Sequence, residues 1–468
     1  MTTTNIEKTI VSHQTQMSSD EYSVLVAEYA IKNKTTVVGA IQQLIAIEVK
    51  KTNFQFYLGG SFFNVFSANP LAAMVSKANK VFFGLNSSMI RGTALHYARE
   101  FALKHKMETG KLLPLMQCIK AMRANIEERW KFLNPSLLEK SSKFEVFLEI
   151  ARAFKLYYYT ILVSDECFQI EEGYNLSFPK EIFNNPHHSK NFIGSGTFDG
   201  IAKSIVDEKE IFTMVDLKSS IRRISSSVEM DKKLEMFFLE KEKLLEIEKI
   251  LNKKINKFSN SDSKIAEAKS NLETLEAKLE DATSNGKATL ALEKRVLKQS
   301  EEVQLWTNNL NVFEESYKEA ELVRKELDEL NVMMKPLEDV YAIAKKDADL
   351  KECRKLHESQ LVYYAILEHF KSGKKIQKLR IENIVLSKSK RGELYINKPE
   401  VQIFEWELTD QALAETEEKV LAIIHSVEAV MEGVDPAIIF RPNWTTFYGM
   451  ELENLVEEIK EMVKINSL

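Results

Sequence analysis

Two stretches, Gly196-Thr197-Phe198-Asp199 and Val215-Asp216-Leu217-Lys218, decide how this chain is read. Side chains alternate along a strand, so Asp216 and Lys218 share one face while Leu217 takes the other. Residues 196–206 read as the partner strand, with Asp207-Glu208-Lys209-Glu210 as the polar hairpin turn between them. A turn centred near residue 208 sets Asp199 opposite Lys218 and diagonal to Asp216, on the same face. Two carboxylates and an ammonium then converge on one spot. That is what a Mg²⁺ site beside a water-handling lysine requires.

The bulk properties narrow the class. A chain of 468 residues has room for two or three domains with a sizeable core. A net charge of −5 gives no global basic signal, so nucleic-acid contact has to come from local patches. Cys118, Cys167 and Cys353 are odd in number and far apart, which points to a reducing compartment and away from a disulfide framework or zinc ribbon. Residues 1–20 are polar without an apolar signal region, and no run of eighteen apolar residues occurs. The expectation is a soluble, cytoplasmic protein of a bacterial or phage-infected cell, with no membrane association.

Residues 20–50, 61–78 (broken or kinked at Pro70, with Ser61 as a cap), 88–106, 115–130 and 141–154 read as helices. Strands are expected over 155–163, 166–171, 196–206 and 211–218. Between 229 and 346 the chain turns rich in Glu, Lys and Leu, with Gly286 its only glycine. Leu and Ile recur at three- and four-residue steps on both sides of Ser284-Asn285-Gly286. Two nearly equal arms around a turn predict an antiparallel coiled-coil hairpin, with a bundle broken at Ser259-Asn260-Ser261-Asp262 as the alternative. Beyond it come a helix over 348–370, two or three strands within 376–406, a helix over 409–432 capped by Thr409 or Asp410, and a terminal helix over 450–463. The organisation is an N-terminal helical region (1–53), a first core part (54–227), the insertion (228–346) and a second core part with C-terminal helices (347–468). The fold class is α/β or α+β, interrupted by an all-α excursion.

Four elements stand in order along the core: Gly92-Thr93-Ala94-Leu95-His96, Asp199 after Gly196, Asp216-Leu217-Lys218, and Gln360-Leu361-Val362-Tyr363-Tyr364. Gly-x-x-x-His, Gly-x-x-Asp, Asp-x-Lys and Gln-x-x-x-Tyr in this sequence resemble the RecB-like branch of the PD-(D/E)XK nuclease superfamily, which includes CRISPR-adaptation and recombination nucleases. The upstream run from Gly59-Gly60-Ser61 to Phe66 is similar to the helix that precedes the Gly-x-x-x-His element there. The resemblance covers roughly residues 59–220 and 350–410. Asp-x-Lys alone is common; four motifs in one order are specific.

The resemblance implies a PD-(D/E)XK restriction-endonuclease-like core with a mixed central sheet flanked by helices. It implies one or two divalent metals, Mg²⁺ or Mn²⁺, held by His96, Asp199, Asp216 and the Leu217 carbonyl. Lys218 would orient or deprotonate the attacking water, so Asp199, Asp216 and Lys218 are the catalytic set. Gln360 and Tyr364 would position the DNA. Hard oxygen ligands agree with such an ion. Iron–sulfur members of the branch carry four cysteines where this chain reads Ser67-Ala68-Asn69-Pro70 and Arg441-Pro442-Asn443-Trp444-Thr445, so no cluster is expected. The expected activity is metal-dependent DNA cleavage in recombination, repair or replication. Exonuclease action on single-stranded or end-bearing DNA leads, and a structure-specific endonuclease on flaps or branched DNA is the alternative. No Gly-x-x-x-x-Gly-Lys-Ser/Thr loop accompanies it, so any translocation comes from a partner.

Blander readings compete at each position. Asp216 and Lys218 alone would be an ordinary strand ion pair, and Gln360 and Tyr364 a half-buried hydrogen-bonding pair. Glu100 reads as part of a solvated helix face rather than a second-metal ligand. His187 and His188 lie in an Asn/Pro loop and read as exposed. Glu166, Glu171 and Glu172 are further acidic candidates. Residues 371–380 and 388–391 are basic, but Arg222 and Arg223, just after the lysine, are better placed for DNA phosphates. The mixed charge of the arm favours a protein partner over DNA. The rival from another class is a non-catalytic scaffold whose coiled coil is the functional part.

Overall fold

The computed structural model describes residues 17–82, 85, 87–133, 142–164, 167–220, 223–285, 287–386 and 398–466. They divide into two units, residues 1–225 with 350–468, and residues 226–349.

The first unit is mixed α/β. In chain order it begins with β1 (Met17–Ser18), α1 (Ser19–Asn33), α2 (Val37–Val49), β2 (Phe56–Gly59), α3 (Gly60–Ala68), α4 (Pro70–Lys77) and β3 (Val81–Phe82). It continues with α5 (Ser87–Thr109), α6 (Leu115–Arg129), α7 (Lys143–Thr160), β4 (Cys167–Ser177), β5 (Phe192–Val206) and β6 (Lys209–Ser220). The second unit holds α8 (Lys232–Phe258), α9 (Ser261–Ser284) and the start of α10 (Leu290–Ser372), whose last turns belong to the first unit. The helix expected over 348–370 is therefore the end of one continuous helix. The first unit closes with β7 (Lys378–Val385), β8 (Glu400–Glu407), α11 (Asp410–Met431), α12 (Pro436–Ile439) and α13 (Phe447–Asn466).

Local chemistry sets the boundaries. Residues 20–50 form two helices, because Lys34 turns left-handed after α1 and Thr36 caps α2. Ser61 lies inside α3, and it is Asn69 that caps α4, with Pro70 at its first turn. The strand expected over 155–163 is helix instead. Ile150, Ala153, Phe154, Tyr157 and Tyr158 are buried at helical spacing, and this overrides the β preference of the Tyr157-Tyr158-Tyr159 run.

The six-stranded sheet runs β2-β5-β6-β7-β8, with β4 pairing β5 antiparallel along its other edge. One edge of β5 is shared. Its residues 192–195 pair parallel with β2, and residues 200–206 pair antiparallel with β6. Residues 196–199 lie between these two pairings, where the neighbouring strands part. β6 and β7 are parallel, with Asp216 in register with Ile381. Alternation sorts the strands onto two cores: Met214, Leu379, Ile381, Phe404 and Trp406 join one cluster, while Leu217, Ile384 and Leu386 join the other. The first cluster includes α1–α4, the end of α10 and α11, and the second packs α5, α6 and α7.

In the second unit α8 runs antiparallel to α10. Leu234 meets Leu330 and Met334, whereas Leu251, further along α8, meets Ala320, Val323 and Leu327, earlier on α10. Arg324 adds bonds of 2.9 Å to Glu248 and 3.0 Å to Asn252. The first arm is two helices, since α8 ends at Phe258 and α9 begins at Ser261.

Candidate active site

The hairpin register differs from the expectation by two positions. Gly200 pairs with Val215 and Val206 with Lys209, with Asp207 and Glu208 both left-handed in the turn. Continued by one pair, this register sets Asp199 opposite Asp216 and diagonal to Lys218. The turn is centred between residues 207 and 208, and the partner of Asp199 moves by two residues, from Lys218 to Asp216. The three groups still converge, because Asp199 accepts the Leu217 amide N–H and Lys218 lies against Asp216.

Asp199 sits where β5 has left β2 and not yet met β6, and both its oxygens are engaged. Oδ1 lies 2.8 Å from His96 Nδ1, and Oδ2 accepts the Leu217 amide N–H at 2.6 Å. Lys218 Nζ lies 2.7 Å from Asp216 Oδ2 and 3.4 Å from Gln360 Oε1. Gln360 Nε2 in turn reaches the Tyr364 hydroxyl at 3.4 Å. α5 supplies the histidine from one side of the sheet and α10 supplies Gln360 and Tyr364 from the other.

Glycines admit α10. A Cβ on Gly196, whose φ is +146°, would meet Tyr364 Cε1 at 2.5 Å, and one on Gly60 would meet Gln360 Cγ at 3.0 Å. Gly92 is less demanding: its Cβ would touch Ser219 Oγ at an ordinary 3.5 Å.

Both aspartates are almost wholly buried, and their charges oppose each other. Burial, reinforced by the charge of Asp199 and only partly offset by Lys218, pushes the Asp216 carboxyl up to about 6. Burial works the same way on Asp199, but His96, Lys218 and Arg99 outweigh it and hold that group well below the usual carboxylate range. Burial disfavours the charged forms of His96 and Lys218, yet the carboxylates beside them prevail and both titrate above their ordinary values. Lys218 is therefore an ammonium at neutral pH, suited to orienting and donating rather than to abstracting a proton.

A divalent cation fits the donor chemistry. Asp216 Oδ2 is buried, close to Lys218 but outside hydrogen-bonding alignment, and so keeps unused acceptor capacity. Two adjoining carboxylates with one raised pKa are what a hard cation relieves. The ligand atoms of His96, Asp199 and Asp216 do not all lie within 4.8 Å of one another, so loading requires their side chains to adjust. Leu217 meets the cluster through its amide, and its side chain lies in the second core.

The remaining candidates divide. Arg222, Glu166 and residues 388–391 lie outside the described residues, as do the side chains of Glu171 and Glu172 in β4. Arg223 pairs with Glu400 at 3.5 Å and makes no contact with the cluster among the described residues. Lys378 and Arg380 are occupied by Glu405. Glu100 is buried and ion-paired with Lys104, so the solvated-face reading is corrected: the helix turns it inward. His188 is likewise not exposed; its side chain is 19% accessible and faces buried Glu428.

Sequence reasoning missed the support beneath Asp199. Arg99, fully buried, donates to the Asp199 carbonyl at 2.8 Å and to the Tyr157 hydroxyl at 2.9 Å, and Tyr157 donates to Glu382 at 2.5 Å. Arg99 falls one turn beyond His96 on α5, and a buried arginine at that spacing was the available signal. His357, one turn before Gln360, was also missed; burial and the Lys218 charge lower it to about 4.

No protein-family model matches the chain, and a search of curated proteins finds no match.

Proposed function

We propose that the chain is a metal-dependent deoxyribonuclease of the PD-(D/E)XK type, acting on single-stranded DNA or DNA ends. The observation that carries this reading is the meeting of Asp199, Asp216 and Lys218 at the parting of the β5 edge, with His96 and Gln360 in contact from opposite sides. The mixed sheet, with a β5–β6 hairpin and β7 parallel to β6, is compatible with such a core. The two segments where iron–sulfur relatives carry cysteines are stitched by amides here: Asn69 Nδ2 donates to the Asn443 carbonyl at 3.0 Å, and Asn443 Nδ2 to the Ala68 carbonyl at 3.1 Å.

Asp216 and Asp199 would hold the ion, with His96 completing or orienting the set. A bound Mg²⁺ or Mn²⁺ would supply Lewis-acid polarisation of the scissile phosphate and a lowered pKa for nearby water. Asp199 is kept ionised and fixed by two donors, one the Leu217 amide. Lys218, held protonated between Asp216 and Gln360, donates hydrogen bonds to the attacking water and to the charge that develops on phosphate oxygen. Gln360 fixes the lysine, and Tyr364 fixes Gln360. The arm serves a protein partner in this reading.

The test is incubation of purified protein with end-labelled single- and double-stranded DNA and with flap substrates, with Mn²⁺ or with chelator. Metal-dependent shortening from ends supports the exonuclease. Cleavage confined to flap junctions favours the endonuclease alternative, and no cleavage of any substrate favours the scaffold.

A further inference from the structure

Away from the β5–β6 cluster, a second set of metal-ligand side chains closes between the Pro186–Asn191 turn and α11. The ligand atoms of His188, Glu428 and Glu432 all lie within 4.8 Å of one another. We propose that these three residues form a zinc site that clamps the 184–191 segment to α11, independent of the nuclease chemistry.

The first support is an orphaned nitrogen. His188 Nδ1 is buried and has no hydrogen-bond partner among the described residues, although it faces a carboxylate. Its distance to Glu428 Oε1 is 3.6 Å, beyond hydrogen-bond range. Two ligands about 2.0–2.1 Å from one tetrahedral ion lie roughly 3.4 Å apart, so the spacing suits a shared Zn²⁺ better than a direct bond.

The second support is how Glu428 is held. It is fully buried, and its oxygens accept the amide N–H groups of Asn185 at 2.6 Å and Asn184 at 3.2 Å. His425 Nδ1 lies 3.1 Å from its Oε2. Oε1, the oxygen that faces His188, takes one of these bonds and retains a lone pair, and outer hydrogen bonds of this kind orient a ligating carboxylate. Glu432, the residue that caps the C-terminus of α11, follows four residues later, and its exposed side chain makes no ion pair or hydrogen bond among the described residues. One imidazole and two carboxylates with an open fourth position is a donor set that zinc accepts.

The position gives the site a structural role. Asn185 Oδ1 accepts the His187 amide N–H and starts the turn, and β5 begins at Phe192, directly after it. Zinc at this point would fix the entry to the strand that carries Asp199.

The test uses full-length protein stripped with chelator, in an Asp216→Ala background so that the β5–β6 cluster does not dominate the binding. Zinc is titrated by calorimetry, and Co²⁺ replaces it for visible absorption. The background protein should bind zinc, gain thermal stability and give the intense bands of tetrahedral Co²⁺. His188→Gln and Glu432→Gln should each weaken zinc binding by at least about tenfold. Glu432 is exposed, so its substitution does not threaten folding. Equal zinc affinity in all variants, or no zinc binding in the background protein, overturns the proposal.

Discussion

Gly196 and Tyr364 occupy each other's space: a Cβ on Gly196 would stand 2.5 Å from Tyr364 Cε1, at a φ of +146° that only glycine adopts readily. The strand carrying Asp199 and the helix carrying Gln360 thus meet at a contact no other residue permits. Gly196→Ala should cost about 1–3 kcal/mol in chemical denaturation and displace Tyr364 from Gln360. An alanine variant of unchanged stability would show that the contact relaxes freely.

Arg99 is the keystone of the buried network under Asp199. Replacing it by Met removes the guanidinium that lies 3.8 Å from the carboxylate of Glu382, a residue only 1% exposed. The expected loss is about 3 kcal/mol, since a buried charge loses its partner. Arg99→Lys should recover only part of it, because the lysine cannot serve Asp199 and Tyr157 together. Equilibrium unfolding of both variants measures this.

His357 predicts a pH effect on stability. Its folded pKa, lowered to about 4 by burial and Lys218, lies below the 6.5 of the unfolded chain. The unfolded state therefore binds the proton first as pH falls. The neutral ring's full contribution is present above about 6.5 and is lost progressively between about 6.5 and 4, with a slope of at most about 1.4 kcal/mol per pH unit. His357→Gln should flatten the stability profile in that window. A slope unchanged by the substitution would assign it to another group.

Much of this was legible in the chain, and the failures have physical reasons. Asp216-Leu217-Lys218 announced its own facing, because alternation on a strand is fixed by geometry. The register slipped because a two-residue turn at Asp207-Glu208 uses left-handed backbone that neither residue advertises. Tyr157-Tyr158-Tyr159 read as strand because β preference is a weak signal next to tertiary burial. Arg99, Tyr157 and Glu382 belong to three elements far apart in sequence, and nothing in spacing alone joins them. His188 and Glu428 are separated in the same way, and only the fold reveals that one faces the other.

The most direct test compares Mn²⁺-dependent cleavage of end-labelled DNA by the wild type, Asp216→Ala and Lys218→Ala, each verified as folded by its melting curve. The account predicts a loss of at least about 100-fold in both variants, with the wild-type activity abolished by chelator. Cleavage that persists in both variants would contradict the assignment of this cluster as the catalytic centre.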